Sequence, residues 1–164
     1  MIKQPSGAER ALLLFGSLGP LGHLPASGTA TVAIVGVPLY WLIADWPGAV
    51  RLIFVVVVSA VAVWVHHVGD RILGEKDSGK LIWDELAGYF VAVAVVPFTW
   101  QLAVISFFLE RFLDIAKVEP ARWIEDHWPG GWGVVGDDLV AGLYTAGVLL
   151  VLARVVPSAV GLAP

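Results

Sequence analysis

Residues 77–93 read Asp77-Ser78-Gly79-Lys80-Leu81-Ile82-Trp83-Asp84-Glu85-Leu86-Ala87-Gly88-Tyr89-Phe90-Val91-Ala92-Val93. A polar loop ends here in two carboxylates that run directly into an apolar segment. If that segment lies in a bilayer, Asp84 and Glu85 sit at the edge of hydrocarbon. Ionisable groups there cost free energy unless something pairs with them, which makes them a functional hypothesis by default. The fold therefore turns on whether 86–93 is soluble core or membrane.

Composition points to membrane. The 164 residues are 58% hydrophobic and 15% charged, with mean hydropathy +0.81. Soluble domains average about 45–50% apolar and about 25% charged. Eight tryptophans suit the headgroup level, where indole is favoured. The chain has no cysteine, which excludes disulfides, thiolate metal sites and cysteine nucleophiles. No nucleic-acid partner is expected, and the net charge of −4 says little alone because the charges are segregated along the chain.

Five apolar runs are predicted, at 29–46, 49–68, 84–97, 101–113 and 137–156, in one membrane-embedded domain over 1–164. Pro47-Gly48 breaks the first from the second, and the third stops at Pro97. Residues 5–15 are expected to form a short interfacial helix, and 1–28 reads as mature protein because Glu9 and repeated Gly and Pro interrupt any signal sequence. The third and fourth runs are short, each reaching roughly 20 Å against about 30 Å of hydrocarbon. Either their helices extend into the polar loops, which is the reading preferred here, or 84–113 is a hairpin that does not cross. The fold class expected is thus an all-α integral membrane protein.

Five alternating spans would gather the loops at 1–28, 66–84 and 110–137 on one face. Lys3, Arg10, Arg71, Lys76, Lys80, Arg111, Lys117 and Arg122 fall there, and only Arg51 and Arg154 on the other. That bias makes the loaded face cytoplasmic. All acidic residues except Asp45 fall on it too.

Four clusters on this face carry chemistry. Asp77 precedes Asp84-Glu85. Glu110, Asp114 and Lys117 share a helix face with Arg111 beside them. A glycine-rich turn, 130–136, delivers Asp137-Asp138 to a helix N-terminus, where one of them is open to a plain capping role. Ser27-Gly28-Thr29 presents N–H groups and a hydroxyl suited to an anion. Oxygen-only acidic sites suit a hard cation such as Mg²⁺, and Arg111, Lys117 and Lys80 would neutralise an anionic substrate. Phosphoryl chemistry on a lipid headgroup follows. His66 and His67 read as interface or packing residues, and Asp70, Glu75, Glu125 and Asp126 as solvated loop charges. The rival reading is an ion or proton transporter or channel, which predicts charge spread through the bilayer depth or on both faces.

Taken together, the four stretches resemble the phosphatidylglycerophosphatase A family. Its Asp-x-x-x-Ile-Val-x-Asp-Glu-x-x-Gly segment is matched by Asp77 through Gly88. Its Arg-x-x-Asp-x-x-Lys-Pro-x-Pro segment is matched by Arg111, Asp114, Lys117 and Pro120, with Val118 replacing the first Pro. Its Gly-x-Gly-x-x-x-Asp-Asp-x-x-Ala-Gly segment is matched by Gly131, Gly133, Asp137, Asp138, Ala141 and Gly142. The resemblance implies a Mg²⁺-dependent monoester phosphatase of the bacterial inner membrane, acting on phosphatidylglycerophosphate to give phosphatidylglycerol. It implies Asp84, Glu85, Asp137 and Asp138, with Asp77 as a further candidate, as metal and water-activating groups. Asp114 joins Asp84, Glu85 and Asp138 as a catalytic candidate. Arg111, Lys117, Gly28, Thr29 and Lys80 are the phosphate-binding candidates.

Overall fold

A computed structural model describes residues 5–163; Lys3, counted above among the cytoplasmic cations, lies outside them. Among the described residues there are helices and no strands. Seven helices follow in order: α1 Gly7–Gly16, α2 Ser27–Ile43, α3 Gly48–Leu73, α4 Trp83–Val93, α5 Trp100–Ala116, α6 Ala121–His127 and α7 Gly131–Val155.

Local chemistry sets most boundaries. Ser6 caps α1 in a capping box: its hydroxyl accepts from the Glu9 N–H, and the Glu9 carboxylate accepts from the Ser6 N–H. Helix α3 follows Pro47 and closes on Gly74, whose φ of 75° supplies the left-handed C-cap. Thr99 caps α5 by accepting from the Leu102 N–H at 3.1 Å. Helix α2 contains a π-helical segment over Val32–Gly36.

Helices α3 and α7 are long and apolar enough to cross a bilayer, at 26 and 25 residues. Their apolar side chains point outward. Ile53 and Val56 on α3 are 63% and 66% exposed, and Leu143 and Val155 on α7 are 62% and 71% exposed. Soluble monomers rarely show contiguous apolar surface of that extent, whereas lipid-facing helices require it. Helix α4 behaves oppositely. It is 11 residues long, about 16 Å at 1.5 Å per residue, and eight of the eleven are buried. Apolar chain continues to Pro97, but the helix does not.

The core is built on α4 against α7, the most extensive helix contact in the molecule. Glycine permits the approach: a Cβ on Gly142 of α7 would collide with the Gly88 carbonyl of α4. Around this pair Tyr40, Tyr89, Phe90, Leu102 and Leu149 are fully buried.

Two boundaries differ from the hydropathy reading. Helix α3 continues past residue 68 through Asp70 to Leu73, so Asp70 is helical. The glycine-rich stretch is helix as well, since α7 begins at Gly131. Asp137 and Asp138 therefore lie well inside α7, which overturns the capping alternative. Those glycines serve packing: a Cβ on Gly131 would strike the Val63 carbonyl of α3, and one on Gly136 would lie 2.5 Å from Ile124 of α6.

Candidate active site

Six carboxylates, Asp77, Asp84, Glu85, Asp114, Asp137 and Asp138, line one cavity of about 210 Å³ together with Lys117. They come from the 74–82 loop, the first turn of α4, the end of α5 and the second turn of α7. Asp84 and Glu85 occupy the N-terminal turn of α4, where the helix dipole favours negative charge. Asp84, Asp137 and Asp138 are buried.

The site is framed by two ion-pair systems. Arg111 donates through Nε to Glu110 Oε2 at 2.7 Å and through a terminal nitrogen to Oε1 at 2.8 Å, a bidentate pair. The same terminal nitrogen reaches Asp138 Oδ1 at 3.2 Å, and the other lies 3.4 Å from Asp114 Oδ2. Lys117 bonds Asp137 Oδ2 at 2.9 Å and Glu125 Oε2 at 2.5 Å. Burial opposes the Lys117 charge, but those two carboxylates outweigh it and hold the ammonium above its ordinary range.

Opposite them stands a residue the sequence reading set aside. His66 of α3 is fully buried, with Nε2 3.2 Å from Asp84 Oδ1 and Nδ1 3.5 Å from Asp70 Oδ2. The sequence reading makes it an interface or packing residue; the structure sets it between two carboxylates. Asp70 is not a solvated loop charge: it is buried and accepts from the Asp77 and Ser78 N–H groups at 3.1 and 3.2 Å, pinning the loop to α3. Glu125, likewise read as solvated, is the partner of Lys117. His66 and Asp70 are four residues apart on one helix. That spacing is visible in the sequence once α3 is carried past the hydropathy boundary at 68.

The remaining candidates fall as follows. Glu110, buried outside the cavity lining, is the partner of Arg111. Gly28, in the first turn of α2, is buried directly against Glu85; a Cβ there would fall on the carboxylate. Thr29 follows it, half-buried. Lys80 does not line the acidic cavity but a separate one beside α1.

The donor set fits divalent metal. Oxygens of Asp114, Asp137 and Asp138 lie within 4.8 Å of one another, and so do donor atoms of His66, Asp77 and Asp84. Asp84 Oδ1 and Glu85 Oε2 are buried without a hydrogen-bond partner, and neither His66 nitrogen meets hydrogen-bond geometry despite its short ion-pair distances. Buried polar atoms are normally satisfied. Six carboxylates line the cavity against Lys117, with Arg111 paired to Asp114 and Asp138 and His66 to Asp84, so acidic groups outnumber the cations and a divalent ion would offset the excess. Carboxylate oxygens are hard donors of the kind that bind divalent cations such as Mg²⁺ and Ca²⁺.

Residues 14–153 match the family described as Phosphatidylglycerophosphatase A. The chain is 30% identical over 118 residues to the phosphatidylglycerophosphatase A of Escherichia coli, covering 71% of this chain and 69% of that one. It is 35% identical over 81 residues to that of Haemophilus influenzae, covering about half of each chain (49% and 50%). A Bacteroides thetaiotaomicron protein named as a putative phosphatidylinositol-3-phosphatase is 31% identical over 135 residues, 78% of this chain and 81% of its own. No solved structure matches. The chain belongs to the phosphatidylglycerophosphatase A family and is a phosphoric monoester hydrolase.

Proposed function

We propose that the protein hydrolyses the terminal phosphomonoester of phosphatidylglycerophosphate, giving phosphatidylglycerol and phosphate, with Mg²⁺ as cofactor. The observation that carries this is the convergence of six carboxylates and Lys117 on one cavity in a chain of this family. Water adds to phosphorus, the bond from phosphorus to the terminal glycerol oxygen breaks, and that oxygen takes up a proton. Asp114, Asp137 and Asp138 would hold one metal ion; Asp84 and Asp77 would offer oxygens to a second, with Glu85 beside them and His66 orienting Asp84. A bound Mg²⁺ supplies Lewis-acid polarisation of the phosphoryl oxygens and neutralises the carboxylates. Lys117, the one cation lining the cavity among the described residues, is placed to take a phosphate oxygen. Arg111 holds Asp114 and Asp138 in position and adds positive potential behind them. Asp84, Glu85, Asp114 and Asp138 are the candidates to accept the proton from water. Gly28 and Thr29 let the start of α2 close over Glu85 and offer N–H and hydroxyl donors to the headgroup.

The protein is read as a single multi-pass domain of the bacterial inner membrane with this site facing the cytoplasm. Supporting that, Trp41, Trp46 and Trp100 are exposed near the helix ends remote from the acids, and Trp64, Trp123, Trp128 and Trp132 near the ends beside them. Helices α2, α4 and α5 would complete the embedded bundle around α3 and α7. A transporter or channel has no support: the relatives are named as phosphatases.

The test is phosphate release by purified protein in detergent from phosphatidylglycerophosphate, phosphatidic acid and phosphatidylinositol 3-phosphate. The last is included because of the Bacteroides relative's name. Release from the first substrate, abolished by EDTA and restored by Mg²⁺, is expected. Preference for either other lipid would overturn the substrate assignment, and EDTA-resistant release would overturn the cofactor.

A further inference from the structure

The acid-rich face carries a second cavity of opposite character. Arg10 of α1, His23 of the following turn and Lys80 of the 74–82 loop line a space of about 340 Å³, floored by Leu13, Leu73 and Leu81. It shares no lining residue with the acidic cavity, and no carboxylate lines it among the described residues. Arg111 and Lys117 are each ion-paired to carboxylates, whereas neither Arg10 nor Lys80 forms an ion pair among the described residues. Two cations without an internal counter-charge therefore stand over an apolar floor.

The setting is interfacial. Leu14 and Phe15, on the same helix as Arg10, are 63% and 42% exposed, as expected of a helix lying against acyl chains with its cation at headgroup level. The segment is firmly held. The Ile82 N–H donates to the Gly16 carbonyl at 3.1 Å, and Trp83 Nε1 donates to the Phe15 carbonyl at 2.9 Å. Arg10 and Lys80 are thus positioned by a folded corner rather than carried on free ends.

We propose that this cavity binds an anionic glycerophospholipid, with Arg10 and Lys80 on the phosphodiester and Leu13, Leu73 and Leu81 against the glycerol esters and first acyl carbons. An apolar floor beneath paired cations matches a molecule that joins phosphate to hydrocarbon; a free phosphate or sugar phosphate would leave that floor wet. Membrane cations are each worth about fivefold in affinity for anionic lipid. The proposal does not depend on how the acidic cavity works.

Binding of short-chain phosphatidylglycerol, short-chain phosphatidylcholine and inorganic phosphate to the full-length protein in detergent tests it by calorimetry. The wild type should bind phosphatidylglycerol at least about tenfold more tightly than phosphatidylcholine, and inorganic phosphate should not compete. Arg10→Gln with Lys80→Gln should remove the preference, Lys80→Arg should keep it, and Leu13→Trp should block binding by filling the floor. Asp138→Asn, which alters only the acidic cavity, should leave it intact. Loss of binding in Asp138→Asn would place the lipid in the acidic cavity and overturn the proposal. So would competition by phosphate, equal affinity for the two lipids, or an unaffected double variant.

Discussion

His66 Nε2 on α3 lies 3.2 Å from Asp84 Oδ1 on α4, and its other ring nitrogen faces Asp70 at 3.5 Å. An imidazole held between two carboxylates fixes the one that faces the cavity by way of the one that pins the loop. Groups that orient a ligating carboxylate typically contribute 10–100-fold to metal affinity or activity. His66→Ala should lower phosphate release by about that factor. It should also raise the Mg²⁺ concentration needed for half-maximal activity. Unchanged Mg²⁺ dependence would reduce His66 to a packing residue.

Asp138 and Asp84 should be the most sensitive carboxylates. Each is buried, lines the cavity and belongs to a different trio of donors. Removing one preorganised charge at a reacting centre commonly costs roughly 10²–10³-fold in rate. Asp138→Asn and Asp84→Asn should each lose about that much, while Asp126→Asn, on the exposed surface of α6, should keep full activity. Full Mg²⁺-dependent release by Asp138→Asn would remove it from the site.

Gly142 and Gly147 sit five residues apart on α7 in contrasting surroundings. A Cβ at the first meets the Gly88 backbone; a Cβ at the second meets nothing within 4 Å. Gly142→Ala should therefore destabilise the protein by about 1–3 kcal/mol through overpacking. Gly147→Ala should be neutral or stabilising by up to about 1 kcal/mol from helix propensity. Thermal unfolding in detergent measures both, and equal shifts would show that the α4–α7 crossing is not as tight as described.

Arg111 neutralises three carboxylates at once: Glu110, Asp114 and Asp138. Breaking a buried pair on one side typically costs about 3–5 kcal/mol because a charge is left uncompensated. Arg111→Gln should lower the unfolding midpoint more than Glu110→Gln, since it strands three acids rather than one cation with two partners left. The double variant should be less destabilised than the sum of the singles. Strict additivity would mean that the pair is not coupled.

Much of this was legible from residues alone. The apolar composition and the Asp84-Glu85 and Asp137-Asp138 pairs are local properties, and the acidic cavity assembles from those same stretches. Asp77, Asp114 and Lys117 were readable for the same reason. His66, Asp70 and Glu125 were not, because hydropathy locates where apolar character ends, not where hydrogen bonding ends. Helix α3 runs on through Gly69 and Asp70 into polar sequence, and only there do His66 and Asp70 come onto one face. The glycine-rich segment was misread as a turn because glycine signals both flexible loop and close packing. The contact of Gly131 with Val63 decides between them.

The sequence by itself determined the membrane character, the helical class, the family and the acidic composition of the site, all set by residue type and order. Tertiary structure decided how the charges are shared. Arg111 faces inward to three carboxylates, Lys117 faces the cavity, and Lys80 stands over a different cavity altogether. A cation's partner depends on which helices cross and how closely. That crossing is set by the packing of α4 on α7 through Gly88 and Gly142, contacts 54 residues apart that no local spacing encodes.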